Sequence, residues 1–142
     1  MTAANFDQTI EKYHQANIEF NKGNAAPILE IFSERKDVSL AQPLGPTVLG
    51  RKQVVQTAER NASYFREGES LAFENIVKFV NAGFAFIVEN ERYRAKVGGR
   101  QNFSKITLRV TSIFRLEDGA WRMIHRHVDP IVSDRPVESL LQ

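Results

Sequence analysis

Between Glu89 and Asp129 the sequence carries more titratable side chains than a half-buried sheet usually holds. Glu89 and Glu91 stand two residues apart, and Arg109, Arg115, Arg122 and Arg126 follow, with His125, His127 and Asp129 at the end. Side chains two apart on a strand share a face. Glu89 therefore goes with Glu91, and His125 with His127 and Asp129. Such groups suggest three chemistries: a carboxylate held by a guanidinium, acid–base work by a carboxylate or imidazole, or metal ligation. A buried charge is costly unless paired, so the pattern marks a lined cavity, a subunit interface, or both.

The elements that must position these groups follow from periodicity. Thr107 to Pro130 reads as two strands joined at Glu117-Asp118-Gly119-Ala120. Leu108, Val110, Phe114 and Leu116 alternate with polar residues on the first arm, and Trp121 and Met123 do so on the second. Asp118-Gly119 suits the positive φ angles of a tight hairpin turn. Leu71 to Phe79 and Phe84 to Ala95 predict two earlier strands. The first part of the chain has helical spacing instead. Phe6, Ile10, Tyr13, Asn17 and Phe20 recur three or four apart and predict a helix over 4–22, ended by Gly23. Pro27 opens a short second helix, Val38 to Ala41 a short strand, and Pro43 to Pro46 breaks regular structure. A third helix over about 52–66 is expected to stop at Gly68. Helices followed by an antiparallel meander predict an α+β architecture.

Composition sets outer limits. The 142 residues, 42% hydrophobic and 25% charged, suit a single domain over 1–142, with a core over about 4–130 and a loose tail at 131–142. Lysines and arginines are scattered and the net charge is only +2, so no nucleic-acid partner is expected. No run approaches the roughly 18 apolar residues of a membrane span. The opening MTAANFDQTIEKYHQ lacks a secretory pattern, and a cytoplasmic protein is expected. The absence of cysteine removes disulfide and thiol chemistry.

Beyond these readings, the order of elements resembles the nuclear transport factor 2-like superfamily, in its SnoaL-like, ketosteroid isomerase-like branch. The resemblance rests on Gly23-Asn24, Gln42-Pro43-Leu44-Gly45, Gly50-Arg51, Arg109-Val110-Thr111, Asp118-Gly119-Ala120-Trp121-Arg122 and His125-Arg126-His127. It covers nearly the whole chain. It implies a cone-shaped, curved antiparallel (mixed) sheet wrapped around three N-terminal helices, the cystatin-like or ketosteroid isomerase-like fold. In that family a ligand pocket lies inside the cone, and the outer face commonly builds a dimer.

Which face of the hairpin points inward then decides the site. One set holds Arg109, Thr111, Ile113 and Arg115 with Arg122, Ile124, Arg126 and Val128. The other holds Leu108, Val110, Ser112, Phe114 and Leu116 with Trp121, Met123, His125, His127 and Asp129. Apolarity alone makes the second set the core. The resemblance implies the reverse: matched through Gly119, the isomerase's pocket positions fall on Arg109, Thr111, Ile124, Arg126 and Val128. The inward side of the preceding strand is then Ile87, Glu89, Glu91 and Tyr93. The expected ligand-binding residues are Glu89, Glu91, Tyr93, Arg109, Thr111, Ile124, Arg126 and Val128, with Glu91 or Glu89 pairing Arg109 or Arg126. Val110, Phe114, Trp121, Met123, His125 and His127 become the expected homodimer interface, and no metal site is expected of the two histidines.

The isomerase's own chemistry is not matched. Its base falls on Gln42 (or Leu40), its tyrosine on Ala16 and its aspartate on Thr111, none of which has the required type. Glu91, as acid or base, and Thr111, as a neutral donor, remain the catalytic candidates for a cofactor-independent isomerase-, dehydratase- or cyclase-type reaction. The expectation is a protein that binds a small polar-aromatic or carboxylate-bearing ligand. The alternative is a non-catalytic binding or oligomerisation module similar to the association domain of calmodulin-dependent kinase.

Overall fold

A computed structural model describes residues 2–142, with side chains from Phe6 onward. Three helices come first: α1 (Thr2–Phe20), α2 (Ala26–Ile31) and, after two short strands, α3 (Arg51–Ala62). The strands are β1 (Ser39–Gln42), β2 (Gly45–Leu49), β3 (Phe65–Val80), β4 (Phe84–Val97), β5 (Phe103–Glu117) and β6 (Ala120–Asp129). They form one curved, unclosed sheet in the order β2-β1-β6-β5-β4-β3. All neighbours are antiparallel except β1 and β6, which run parallel. The architecture is α+β with a mixed sheet against the helices, as expected.

Two boundaries differ from the expectation. The Pro43 to Pro46 stretch is a hairpin turn followed by β2, because β2 is an edge strand, where a proline's missing N–H costs no ladder bond. β3 begins at Phe65, and Gly68 lies inside it rather than ending α3. A Cβ on Gly68 would stand 2.1 Å from the carbonyl oxygen of Asn21, so only glycine lets the end of α1 press onto β3. At the other hairpin, Asp118 (φ 51°) and Gly119 (φ 84°) form the two-residue turn between β5 and β6, the conformation such a hairpin requires.

The face assignment is settled by α1. Phe6, with no exposed surface, meets Phe114 and Trp121 edge-on at ring-centroid distances of 5.1 and 5.3 Å. Phe114, Trp121 and Met123 belong to the core with α1 and α2, and Val110 is buried on the same side. These four residues were expected at a dimer interface. They are instead buried within this chain, Phe114 and Trp121 against α1, so their apolar surface is removed from water without a partner.

The second arm of the hairpin does not keep one parity. Ile113 pairs with His125 but Phe114 with Met123, so Ile124 is an extra residue on β6, a β-bulge. Its position coincides with a change of neighbour. Before it, the Met123 carbonyl accepts the Ser33 N–H at 2.8 Å; after it, β1 takes over, with Ser39 opposite His125 and Leu40 opposite Arg126. Up to Met123 the odd-numbered residues point inward, and beyond the bulge Arg126 and Val128 do. His125 and His127 are thereby turned to the outer face.

Candidate functional site

A buried ionic cluster lies where α1 crosses the middle of the sheet. Glu91 from β4, Ser112 from β5 and Arg126 from β6 sit on the inner face beneath Tyr13 and Asn17 of α1. Arg126 donates from Nε to the Tyr13 hydroxyl oxygen at 3.0 Å, and from Nη2 to Asn17 Oδ1 at 3.0 Å and Glu91 Oε1 at 3.2 Å. Tyr13 donates to Glu91 Oε2 at 3.1 Å and accepts from Ser112 Oγ at 2.8 Å, while Asn17 Nδ2 reaches Glu91 Oε2 at 3.4 Å. The Arg126 and Glu91 side chains are 12% and 5% exposed. Among the described residues, Arg126 Nη1 has no hydrogen-bond partner.

Electrostatics follow from that burial. Desolvation raises the Glu91 carboxyl above the usual carboxylate range; the Arg126 guanidinium opposes the rise and the neighbouring Glu89 carboxylate adds to it. Burial likewise pushes the Tyr13 phenol up to about 12. Glu89 is partnered separately. His14 Nε2 lies 2.8 Å from its Oε1, and the imidazole stacks on Phe73 at 4.0 Å. His14 is thus tied to the inner face of β4.

Beside the ionic cluster is a cavity of about 170 Å³. Arg126, Glu91 and Asn17 form its charged end. Phe20, Phe65, Tyr93, Ile106, Leu108 and Val128 supply apolar walls, and the β1–β2 turn at Gln42, Pro43 and Leu44 stands at its mouth together with Asn21 and Asn61. Aromatic contacts stiffen the wall, with Phe65 6.0 Å from Tyr93 and 6.1 Å from Phe20. The Gly68 contact with Asn21 holds this end of α1 in place.

Of the residues expected to bind ligand, the structure brings Glu91, Tyr93, Arg126 and Val128 together around the cavity. Glu89 shares their face but faces His14. Ile124 is the half-buried bulge residue and is not among the residues lining this cavity. Arg109 and Thr111 lie on the opposite face of the sheet: Arg109 donates from Nη2 to Asp129 at 2.8 Å, and Thr111 pairs with His127 in register. They alternate with the buried Val110 and Ser112, so no inward position is open to them, and Thr111 has no route to the cavity as a donor. His125 on the outer face meets Ser39 Oγ at 2.7 Å, and no cluster of metal ligands forms among the described residues. Arg51 is occupied by the carbonyls of Leu29 and Phe32, at 2.9 and 3.2 Å, which closes the end of α2.

Several members of the site escaped the sequence reading: the Tyr13 hydroxyl, Asn17, Ser112 and Asn61. Asn17 and Ser112 carried a usable signal. Each is polar at a position whose period assigns it to the core, and a buried polar side chain must find partners.

The sequence matches the model of the SnoaL-like domain over residues 7–133. No protein of curated function matches it. Among solved structures, a nuclear transport factor 2-like superfamily protein from Salmonella enterica serovar Typhimurium is similar with a TM-score of 0.78, at 14% identity over 97% of this chain and 99% of that one. A candidate calcium/calmodulin-dependent kinase II association domain from Xanthomonas campestris gives 0.72, at 14% identity over 89% and 88%. A ketosteroid isomerase-like protein from Erwinia carotovora atroseptica gives 0.70, at 13% identity over 92% and 96%. At such identities these structures attest a nuclear transport factor 2-like fold, while the domain match names the group: the chain belongs to the SnoaL-like family.

Proposed function

We propose that this protein binds a small, partly apolar molecule carrying a carboxylate or comparable acceptor, seated in the cavity with that group against Arg126. The observation that carries the reading is the state of Arg126: a guanidinium held in place by three partners, on the wall of a largely apolar cavity, with Nη1 unbonded among the described residues. A preorganised charged donor in a largely apolar pocket fixes both the orientation and the charge of a ligand. The volume limits size, since a cavity of about 150 Å³ is known to hold benzene.

Binding is favoured over catalysis by the state of Glu91. Tyr13 and Asn17 bond its Oε2 and Arg126 its Oε1, so three of about four acceptor sites are taken, and the adjacent guanidinium opposes proton uptake. Should the bound molecule be turned over, Glu91 is the acid–base residue and Tyr13 its neighbour in the relay. For self-association we propose the outer sheet face around Thr111, Ile113, His125 and His127, the surface left once Trp121 and Met123 are assigned to the core. Sedimentation velocity of Ile113→Glu tests this; an unchanged assembly state defeats it.

The binding reading is tested by titrating small aromatic and aliphatic carboxylates, observed by ligand NMR, against wild type and Arg126→Met. Binding to wild type that disappears in a folded Arg126→Met supports it. A cavity-filling Leu108→Phe should abolish the same binding while leaving the cluster intact. Affinity unchanged in both variants overturns the reading.

A further inference from the structure

The wall of the cavity contains an acceptor that the described residues leave unsatisfied. Asn61, 6% exposed and on the cavity wall, has an Oδ1 that is closed to water and has no hydrogen-bond partner among the described residues. Its orientation is dictated by a chain of bonds that starts at the backbone. The Leu44 N–H, which can only donate, gives to Gln42 Oε1 at 2.8 Å, so that atom of Gln42 is the acceptor. Asn61 must therefore turn its amide nitrogen to it, and Nδ2 does so at 2.8 Å. Flipping Asn61 would set two acceptors face to face. Oδ1 is consequently locked as an acceptor, and a buried acceptor without a partner is a penalty that a ligand's donor would remove.

We infer that Asn61 is the specificity-determining residue of this cavity, and that the ligand class is a compact hydroxylated acid: a carboxylate toward Arg126, an apolar body along Tyr93, Leu108 and Val128, and a hydroxyl donor toward Asn61 Oδ1. The inference rests on the binding reading above and adds the donor requirement. Oδ1, closed to water in the free chain, must open to the ligand while the Leu44–Gln42–Asn61 bonds stay in place. Leu44 and Gln42 thus serve as positioning residues: they hold the Asn61 amide in the orientation that rejects acceptor-only ligands.

The test compares benzoate with its monohydroxy and monomethoxy isomers by calorimetry and ligand-observed NMR. The isomers scan the spacing between the two polar ends, and a methoxy group keeps the bulk but cannot donate. At least one hydroxybenzoate should bind roughly tenfold to a hundredfold more tightly than benzoate, the worth of satisfying one buried acceptor, and its methoxy counterpart should lose that gain. Asn61→Leu should bring the hydroxybenzoate-to-benzoate ratio to about one. Gln42→Glu, which keeps an acceptor for Leu44 and Asn61, should preserve the preference. Gln42→Leu frees the Asn61 amide to turn and should shift the preference toward the methoxy compound, a reading that stands even if Asn61→Leu does not fold. Equal affinity of benzoate and every hydroxybenzoate for wild type overturns the role of Asn61 and leaves the Arg126 reading intact, as does a ratio unchanged in both Asn61→Leu and Gln42→Leu. Failure of all the acids to bind folded wild type overturns both.

Discussion

Two carboxylate–guanidinium pairs lie on opposite faces of the same sheet. Glu91 with Arg126 sits inside, roofed by Tyr13 and Asn17; Asp129 with Arg109 sits outside, where the Arg109 side chain is 50% exposed. Both are hydrogen-bonded at ordinary distances, so geometry alone does not distinguish them. Environment does. In water an ion pair's attraction is screened and its net worth is small; beneath a helix, each charge depends on its partners because it has lost its hydration. The inner carboxyl is accordingly raised by burial. In Asp129, burial also works against the charge, but the Arg109 hydrogen bond and the Ile131 N–H outweigh it and hold the carboxyl below its ordinary range. The same two chemical groups line a cavity on one face and form a surface pair on the other.

The largest way to break this contrast is to shift the register beyond the bulge. Inserting one alanine between His125 and Arg126, with the Ile124 bulge kept, turns Arg126 and Val128 outward and drives His127 into the core. We expect loss of the folded state, seen as collapse of amide dispersion in NMR. A well-dispersed spectrum with Arg126 outside would show that the register after the bulge does not matter to the fold. Next in size, Arg126→Ala strands the Glu91 carboxylate and should cost about 3–5 kcal/mol in urea denaturation, whereas Arg109→Ala should cost no more than about 1 kcal/mol. Comparable losses at the two sites would erase the distinction.

A finer test uses pH. The Glu91 pKa is raised in the folded protein, so the native state holds that proton longer than the unfolded chain does. Its contribution is most favourable below the unfolded pKa and worsens as pH rises through the folded value. Asp129 is depressed, so its contribution is present above the unfolded pKa and is lost as pH falls through the folded value. Stability relative to Glu91→Gln should therefore fall with rising pH, while stability relative to Asp129→Asn should rise across the acid range. Parallel slopes in the two melts would mean that Arg126 outweighs burial at Glu91. The smallest effect is expected at Thr111→Val, within about 0.5 kcal/mol in stability and with no change in carboxylate binding, because the outer face has no access to the cavity.

Much of this molecule was legible in its residues. The helix carrying Phe6, Tyr13 and Asn17 and the Asp118-Gly119 turn follow from spacing, because each is a local period with one face apolar or one turn chemistry, while the inward side of β4 was what the family resemblance implied. The apolar parity of β5 was legible too, and where the family resemblance pointed to Arg109 and Thr111, the plain hydrophobic pattern was the better guide. An alignment anchored on Gly119 carries no information about a residue inserted downstream. Arg126 and Val128 lie inside because the bulge shifts them there, not because the whole hairpin has the parity that the alignment implies.

What the sequence determined by itself is the set of elements and the polar residues stranded on their apolar sides, since both depend on interactions within a few residues. What only the tertiary structure decided is which of those polar residues meet. Tyr13 and Arg126 are separated by more than a hundred residues and are joined only when α1 is laid across the sheet. Asn61 meets Gln42 because α3 and the β1–β2 turn converge on one end of the cavity. The bulge belongs to this second class, because its position coincides with the exchange of Ser33 for β1 as the neighbour of β6. That exchange is a long-range event with no local period to announce it.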